Sequence, residues 1–216
     1  MKRLLLLVAL TLAVTGSGYA DTCAVGNFGD SSYGASGFSC TIGDLTFSDF
    51  SYLSAILDGS NVAVEPVTGG GETGFLFSGP WSVPSGFAID SLLSYTVTAE
   101  SPVISDLVLS ISGYGYSGNG FVTVAENASN GTNLYVCYPT KPNDIPPCGV
   151  SDSAIFTPVA SLTITKDITV SALFGGTAAL SAVVNETSQV PEPASLTLLG
   201  TGLLGLAGVL RRKLFS

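Results

Sequence analysis

Sixteen carboxylates, four cysteines, eight tyrosines and one tryptophan are the residues on which chemistry could rest, and no histidine joins them. The missing imidazole removes Ser-His-Asp and Cys-His nucleophiles and every His-ligated metal centre. Hydrolysis by a carboxylate pair survives as a chemical option, with Asp44, Asp49, Asp58, Glu65, Glu72 and Asp90 available. No spacing singles out two of them, and ordinary solvated carboxylates account for all six, so no catalytic residue is assigned. Asn27 to Ser32 is rich in oxygen ligands, but the D-x-D-x-D-G calcium pattern is absent and turn chemistry explains it. No cofactor or metal is expected. Trp81 in SGPWSVPSG and Tyr114 and Tyr116 in SGYGYSGNG sit among glycines, where exposed rings could stack on sugars. Core or turn packing is their plainer use.

These residues must be carried by some framework, and the ends of the chain say where that framework works. Lys2-Arg3 precedes the apolar run Leu4 to Val14, and Gly18-Tyr19-Ala20 offers small residues before a cut. Residues 1–20 thus read as a secretory signal peptide cleaved between Ala20 and Asp21. At the other end, Pro191-Glu192-Pro193 is a stiff, extended motif, because proline restricts both itself and its predecessor. Ala194 to Leu210 carries no charge and, at about 1.5 Å per residue, would span roughly 25 Å as a helix, near the short end of a bilayer crossing. Arg211, Arg212 and Lys213 follow as a basic stop that favours the cytoplasmic side.

Motif, apolar helix and basic triplet in this order, over Val190 to Ser216, resemble the PEP-CTERM sorting tail of exported bacterial proteins. The stretches CTIGDLTFSDFSY and SLTITKDITV also resemble members of that group whose function is unknown. The resemblance implies recognition by exosortase, a membrane protease-transpeptidase. It implies a single-pass intermediate in the inner membrane, then delivery to the cell surface or extracellular matrix. Exopolysaccharide, and with it a biofilm, is the further partner it offers. In a bacterial setting the N-x-S/T matches at Asn127, Asn130 and Asn185 reflect composition only.

The segment between, residues 21–189, is expected to be one domain. Five of the seven basic residues lie in the two ends, leaving Lys141 and Lys166 against fifteen carboxylates. Such a body repels nucleic acid, which is excluded as a partner. Cys23, Cys40, Cys137 and Cys148 in an exported chain point to disulfides. Three pairings are possible; the local one, Cys23–Cys40 with Cys137–Cys148, is favoured. Zinc is disfavoured because there is no C-x-x-C pair and no histidine.

Short alternating runs such as SLLSYTVTAE, DLVLSISG and FVTVAE, separated by Gly, Asn, Ser and Pro, predict an all-β fold, a single antiparallel β-sandwich ectodomain. Asp49 to Leu57 is the one helix candidate, and Lys166-Asp167 reads as a turn or bulge. The expected function is that of a non-enzymatic surface or matrix protein. A carbohydrate-binding or adhesive module is the alternative, and a carboxylate-dependent glycosidase a more distant one.

Overall fold

The computed structural model describes residues 21–29, 32–99, 103–139 and 148–190. The signal segment with Ala20 and the tail from Pro191 to Lys213 lie outside the described residues. Within them no helix is long and apolar enough to cross a membrane. The predicted spanning helix belongs to the undescribed tail.

Fourteen strands account for most of the described chain. They are β1 (Asp21–Thr22), β2 (Gly26–Asn27), β3 (Ser39–Ile42), β4 (Leu45–Ser54), β5 (Ala63–Gly69), β6 (Glu72–Val83) and β7 (Ala88–Ala99). Then follow β8 (Val103–Ser112), β9 (Gly115–Gly118), β10 (Phe121–Ala128), β11 (Asn133–Tyr138), β12 (Ser151–Val159), β13 (Ser161–Ser171) and β14 (Gly176–Val190). One sheet runs β1-β3-β4-β7-β13-β10-β11 and the other β12-β8-β14-β6-β5-β2, with β9 paired to the start of β14. All pairings between strands are antiparallel except β1 with β3.

The two sheets share one core because the strands alternate. On β7, Ile89, Leu93, Tyr95 and Val97 are buried, as are Leu162, Ile164, Ile168 and Val170 on β13. Rings from both sheets meet at its centre. Phe47 on β4 and Phe75 on β6 stand edge to face with centroids 4.8 Å apart, and Phe50 stacks on Tyr95 at 5.6 Å. Each large apolar side chain buried here contributes about 1.5–3 kcal/mol. Two-layer packing of this kind is what the alternating pattern predicts.

Two local expectations are corrected. The segment Asp49–Leu57 is not helical: Asp49 has φ 55° and forms a bulge in β4, where the register with β7 shifts between Ser48 and Ser51. The extra residue puts both Phe47 and Phe50 inside. A bulge therefore created the three-residue apolar spacing that resembles a helix turn. Lys166-Asp167 is neither turn nor bulge. It lies in the uninterrupted ladder of β13, with Lys166 opposite Glu126 on β10 and Leu93 on β7.

Both disulfides take the local pairing. Cys23–Cys40 has an S–S distance of 2.06 Å and fastens the first strands, and Cys137–Cys148 has one of 2.02 Å. Cys137 N–H also donates to Gly149 O at 2.7 Å, so the second link reinforces a backbone contact. Links of this kind stabilise by about 2–4 kcal/mol, chiefly through the unfolded chain.

Candidate functional site

Three places among the described residues carry groups capable of chemistry, and the sequence adds a fourth. They are the centre of the core, one end of the sandwich, the outer face of one sheet, and the segment that follows β14.

At the centre of the core lies an ionic cluster that the sequence reading missed. The side chains of Lys166 and Glu126 are fully buried, with Nζ 3.0 Å from Oε2. Lys166 Nζ also donates to Asn185 Oδ1 at 2.7 Å, reaching from β13 in one sheet to β14 in the other. Tyr95 O–H donates to the same Oδ1. Asn185 Nδ2 in turn donates to Glu126 Oε1 at 3.3 Å and to Val108 O at 2.9 Å. The Lys166 ammonium lies 4.9 Å from the Tyr95 ring centre and 5.8 Å from that of Phe77.

Sequence places each member. Lys166 is in phase with Leu162, Ile164, Ile168 and Val170, and Glu126 with Val122, Val124 and Ala128, all buried. Gly74 on β6 lets β14 approach: a Cβ there would collide with the Asn185 carbonyl oxygen. Burial pushes the Lys166 ammonium below the ordinary lysine range, against the opposing pull of Glu126. Burial, helped by the Glu126 charge, holds the Tyr95 phenol well above its usual range, so it remains an O–H donor. Asn185 is fully buried, so its N-x-T match cannot be a surface acceptor.

The aromatic candidates separate. Trp81 is removed from the glycan-contacting set: its side chain is fully buried in β6. Its indole N–H donates to Ser91 Oγ at 3.3 Å, and Tyr52 O–H donates to the same oxygen at 2.8 Å. Alternation along β6 turns Trp81 inward, the core packing that the sequence offered as its plainer use. Tyr114 and Tyr116 do come together, both against Tyr138, at 4.2 and 5.4 Å between centroids. Tyr114 is half-buried and Tyr116 is 45% exposed. The neighbouring loops add exposed Phe87, Leu173 and Phe174, tied in by Asn119 Nδ2 donating to Phe174 O at 2.9 Å.

On the outer face of the β1-to-β11 sheet, Leu53, Ser54, Ala55, Asp90, Leu92 and Asp167 line a shallow groove of about 470 Å³. Partial burial and a hydrogen bond shared with Asp90 push the Asp167 carboxyl up. A raised carboxylate pKa in the folded state means that folding takes up a proton. The groove therefore costs stability above the folded pKa and recovers it as pH falls through that value. Asp167→Asn is expected to raise stability at pH 7 by about 0.5 kcal/mol, with the gain fading in mild acid. Thermal melts at pH 7 and in mild acid check it, and an unchanged melting temperature at pH 7 contradicts it. Asp44, Asp49, Asp58, Glu65 and Glu72 are not gathered with this pair.

The fourth place is the sorting segment. β14 ends at Val190, paired with Val103 on β8, and Pro191 is the next residue. Asp21 begins β1, opposite Cys40 on β3, so the expected cleavage point immediately precedes the folded body.

A segment that starts where a folded exported domain stops is the position of a C-terminal sorting signal. Residues 189–213 match the family model of the PEP-CTERM protein-sorting motif. The tail thus carries the PEP-CTERM protein-sorting motif. No curated protein matches the chain. Among solved structures, TmCBM61 in complex with β-1,4-galactotriose aligns at 11% identity and TM-score 0.31, covering 67% of this chain and 90% of that one. The enzymatically active domain of tailspike protein 4 from bacteriophage CBA120 aligns at 12% identity and TM-score 0.27, covering 69% of this chain and 20% of that one. Similarities of this size establish neither a ligand nor an activity.

Proposed function

We propose that the protein is a non-enzymatic component of the cell surface or extracellular matrix. In this reading a signal peptide exports it, the segment 194–210 holds it in the inner membrane with the basic triplet inside, and exosortase acts at Pro191-Glu192-Pro193. The observation that carries the reading is the junction itself. The sorting motif follows β14 without a linker, so the exported unit is one folded body delivered whole. The absence of histidine supports a structural role over histidine-dependent hydrolysis. Fractionation of producing cells tests it, with the mature body expected in the surface or matrix fraction. Incubation with the producer's own exopolysaccharide is expected to release no reducing ends; release of sugars would replace this reading with a glycosidase.

A second reading is favoured by the tyrosine cluster. Tyr114 and Tyr116 lie near the start of β14, whereas the sorting motif follows its far end, 15 residues along. An exposed ring at that end is placed to stack on exopolysaccharide. Tyr116→Ala is expected to reduce retention on the immobilised polysaccharide several-fold. Equal retention of wild type and variant removes the tyrosines from any such role.

A further inference from the structure

We propose that Lys166 and Asn185 become joined by an intramolecular isopeptide bond, formed by the Lys166 amine attacking the Asn185 side-chain carboxamide with loss of ammonia. Nucleophile, electrophile and proton carrier are already in contact. Nζ is 2.7 Å from Oδ1 and so lies beside the carboxamide carbon, and Glu126 touches both reacting nitrogens, Nζ at 3.0 Å and Nδ2 at 3.3 Å. Groups held at such distances react as one unit rather than by encounter. Lys166, Glu126, Tyr95 and Asn185 are each at most 2% exposed, which excludes the water that would compete with the amine.

The steps balance within the cluster. Glu126 takes a proton from the Lys166 ammonium, a transfer that burial favours because it replaces two charges by two neutral groups. The free amine adds to the carboxamide carbon, and charge gathers on Oδ1, where the Tyr95 O–H is already donating. Glu126 passes its proton to Nδ2 and takes a second from Nζ. The C–Nδ2 bond breaks and ammonia leaves. The products are an amide between Lys166 and Asn185, one ammonia and a neutral Glu126. The buried ion pair has become an uncharged network, and no oxidant, metal or cofactor is consumed. The bond ties β14, the strand that leads into the sorting motif, covalently to the opposite sheet.

The sequence supplies a direct assay. Between residues 21 and 190 there is no arginine, and Lys141 precedes Pro142, a bond that trypsin does not cut. Lys166–Asp167 is therefore the one tryptic site of the body, and trypsin requires a free lysine amine. Mature protein is purified from producing cells, reduced, alkylated, denatured and digested. The body is expected to stay uncut at Lys166, with a mass lower than its sequence by about 17 Da, one ammonia. Chymotryptic mapping is expected to yield a branched peptide joining segments of β13 and β14. Loss of ammonia through a succinimide would leave Lys166 cleavable and overturn the proposal, as would complete cleavage after Lys166 with both linear peptides recovered. Glu126→Gln keeps the side-chain shape and removes the base; it is expected to restore cleavage at Lys166 with both disulfides intact. Undiminished cross-linking in that variant overturns the role given to Glu126.

Discussion

Replacement of Pro191, Glu192 and Pro193 by alanine is expected to leave export unchanged and to stop maturation. The uncharged run Ala194 to Leu210 and the triplet Arg211, Arg212 and Lys213 are untouched, so the forces that would stop transfer in the membrane are unaltered. What disappears is the stiff peptide presented to a membrane-embedded protease. Val190 is the last residue of β14 and pairs with Val103, and the motif begins at the next residue of the chain. An alanine triplet at that junction loses the two fixed φ angles that keep the chain extended. Full-length chain is expected to accumulate in the membrane fraction, with most of the body lost from surface and medium. Immunoblots of membrane and extracellular fractions measure it. Identical processing of the two proteins would make the motif incidental and the tail a plain anchor. Gly200, Gly202, Gly205 and Gly208 put little bulk on the same segment, which suits close approach by another helix.

The second large effect lies in the core. Lys166→Ala removes the cation and leaves Glu126 buried between two sheets with no charge to balance it. Loss of one partner from a buried pair typically costs about 3–5 kcal/mol, because the remaining charge keeps its desolvation penalty. Lys166→Met combined with Glu126→Leu removes both charges and retains the apolar volume. The double variant is expected to recover most of the loss seen in Lys166→Ala. Asn185 keeps its bonds to Val108 O and Tyr95 O–H in that background. Neither variant can form a Lys166–Asn185 bond, so their difference reports the unpaired Glu126 charge together with the side-chain volume that alanine leaves empty. Chemical denaturation of the two bodies gives the comparison. Equal stability of the single and double variants would contradict the cost assigned to an unpaired Glu126 carboxylate.

Much of this protein is determined locally and could be read from the chain. The tail matches a sorting motif defined by its linear sequence, so its motif, apolar run and charges can be read without a fold. Strands declare themselves through alternation, since every second residue of β7, β10 and β13 must face the core. The disulfide pairing follows from short loops, which bring Cys23 to Cys40 and Cys137 to Cys148 before distant partners compete.

Tertiary structure decided the rest, in each case because partners far apart in sequence set the environment. Trp81 among glycines left glycan stacking open beside core packing, and the fold buries it with Ser91 satisfying its N–H. The bulge at Asp49 broke the alternation and produced a helix-like spacing in a strand. Lys166, Glu126 and Asn185 sat in the inward phase of their strands, a signal that was present in the sequence. Their polarity argued against burial, because a buried charge is tolerated only with a partner. That partner lies forty positions away on β10, directly across the ladder, and the amide it shares comes from the other sheet. Only the pairing of β10 with β13, and the packing of β14 over both, brings amine, carboxylate and carboxamide to one point.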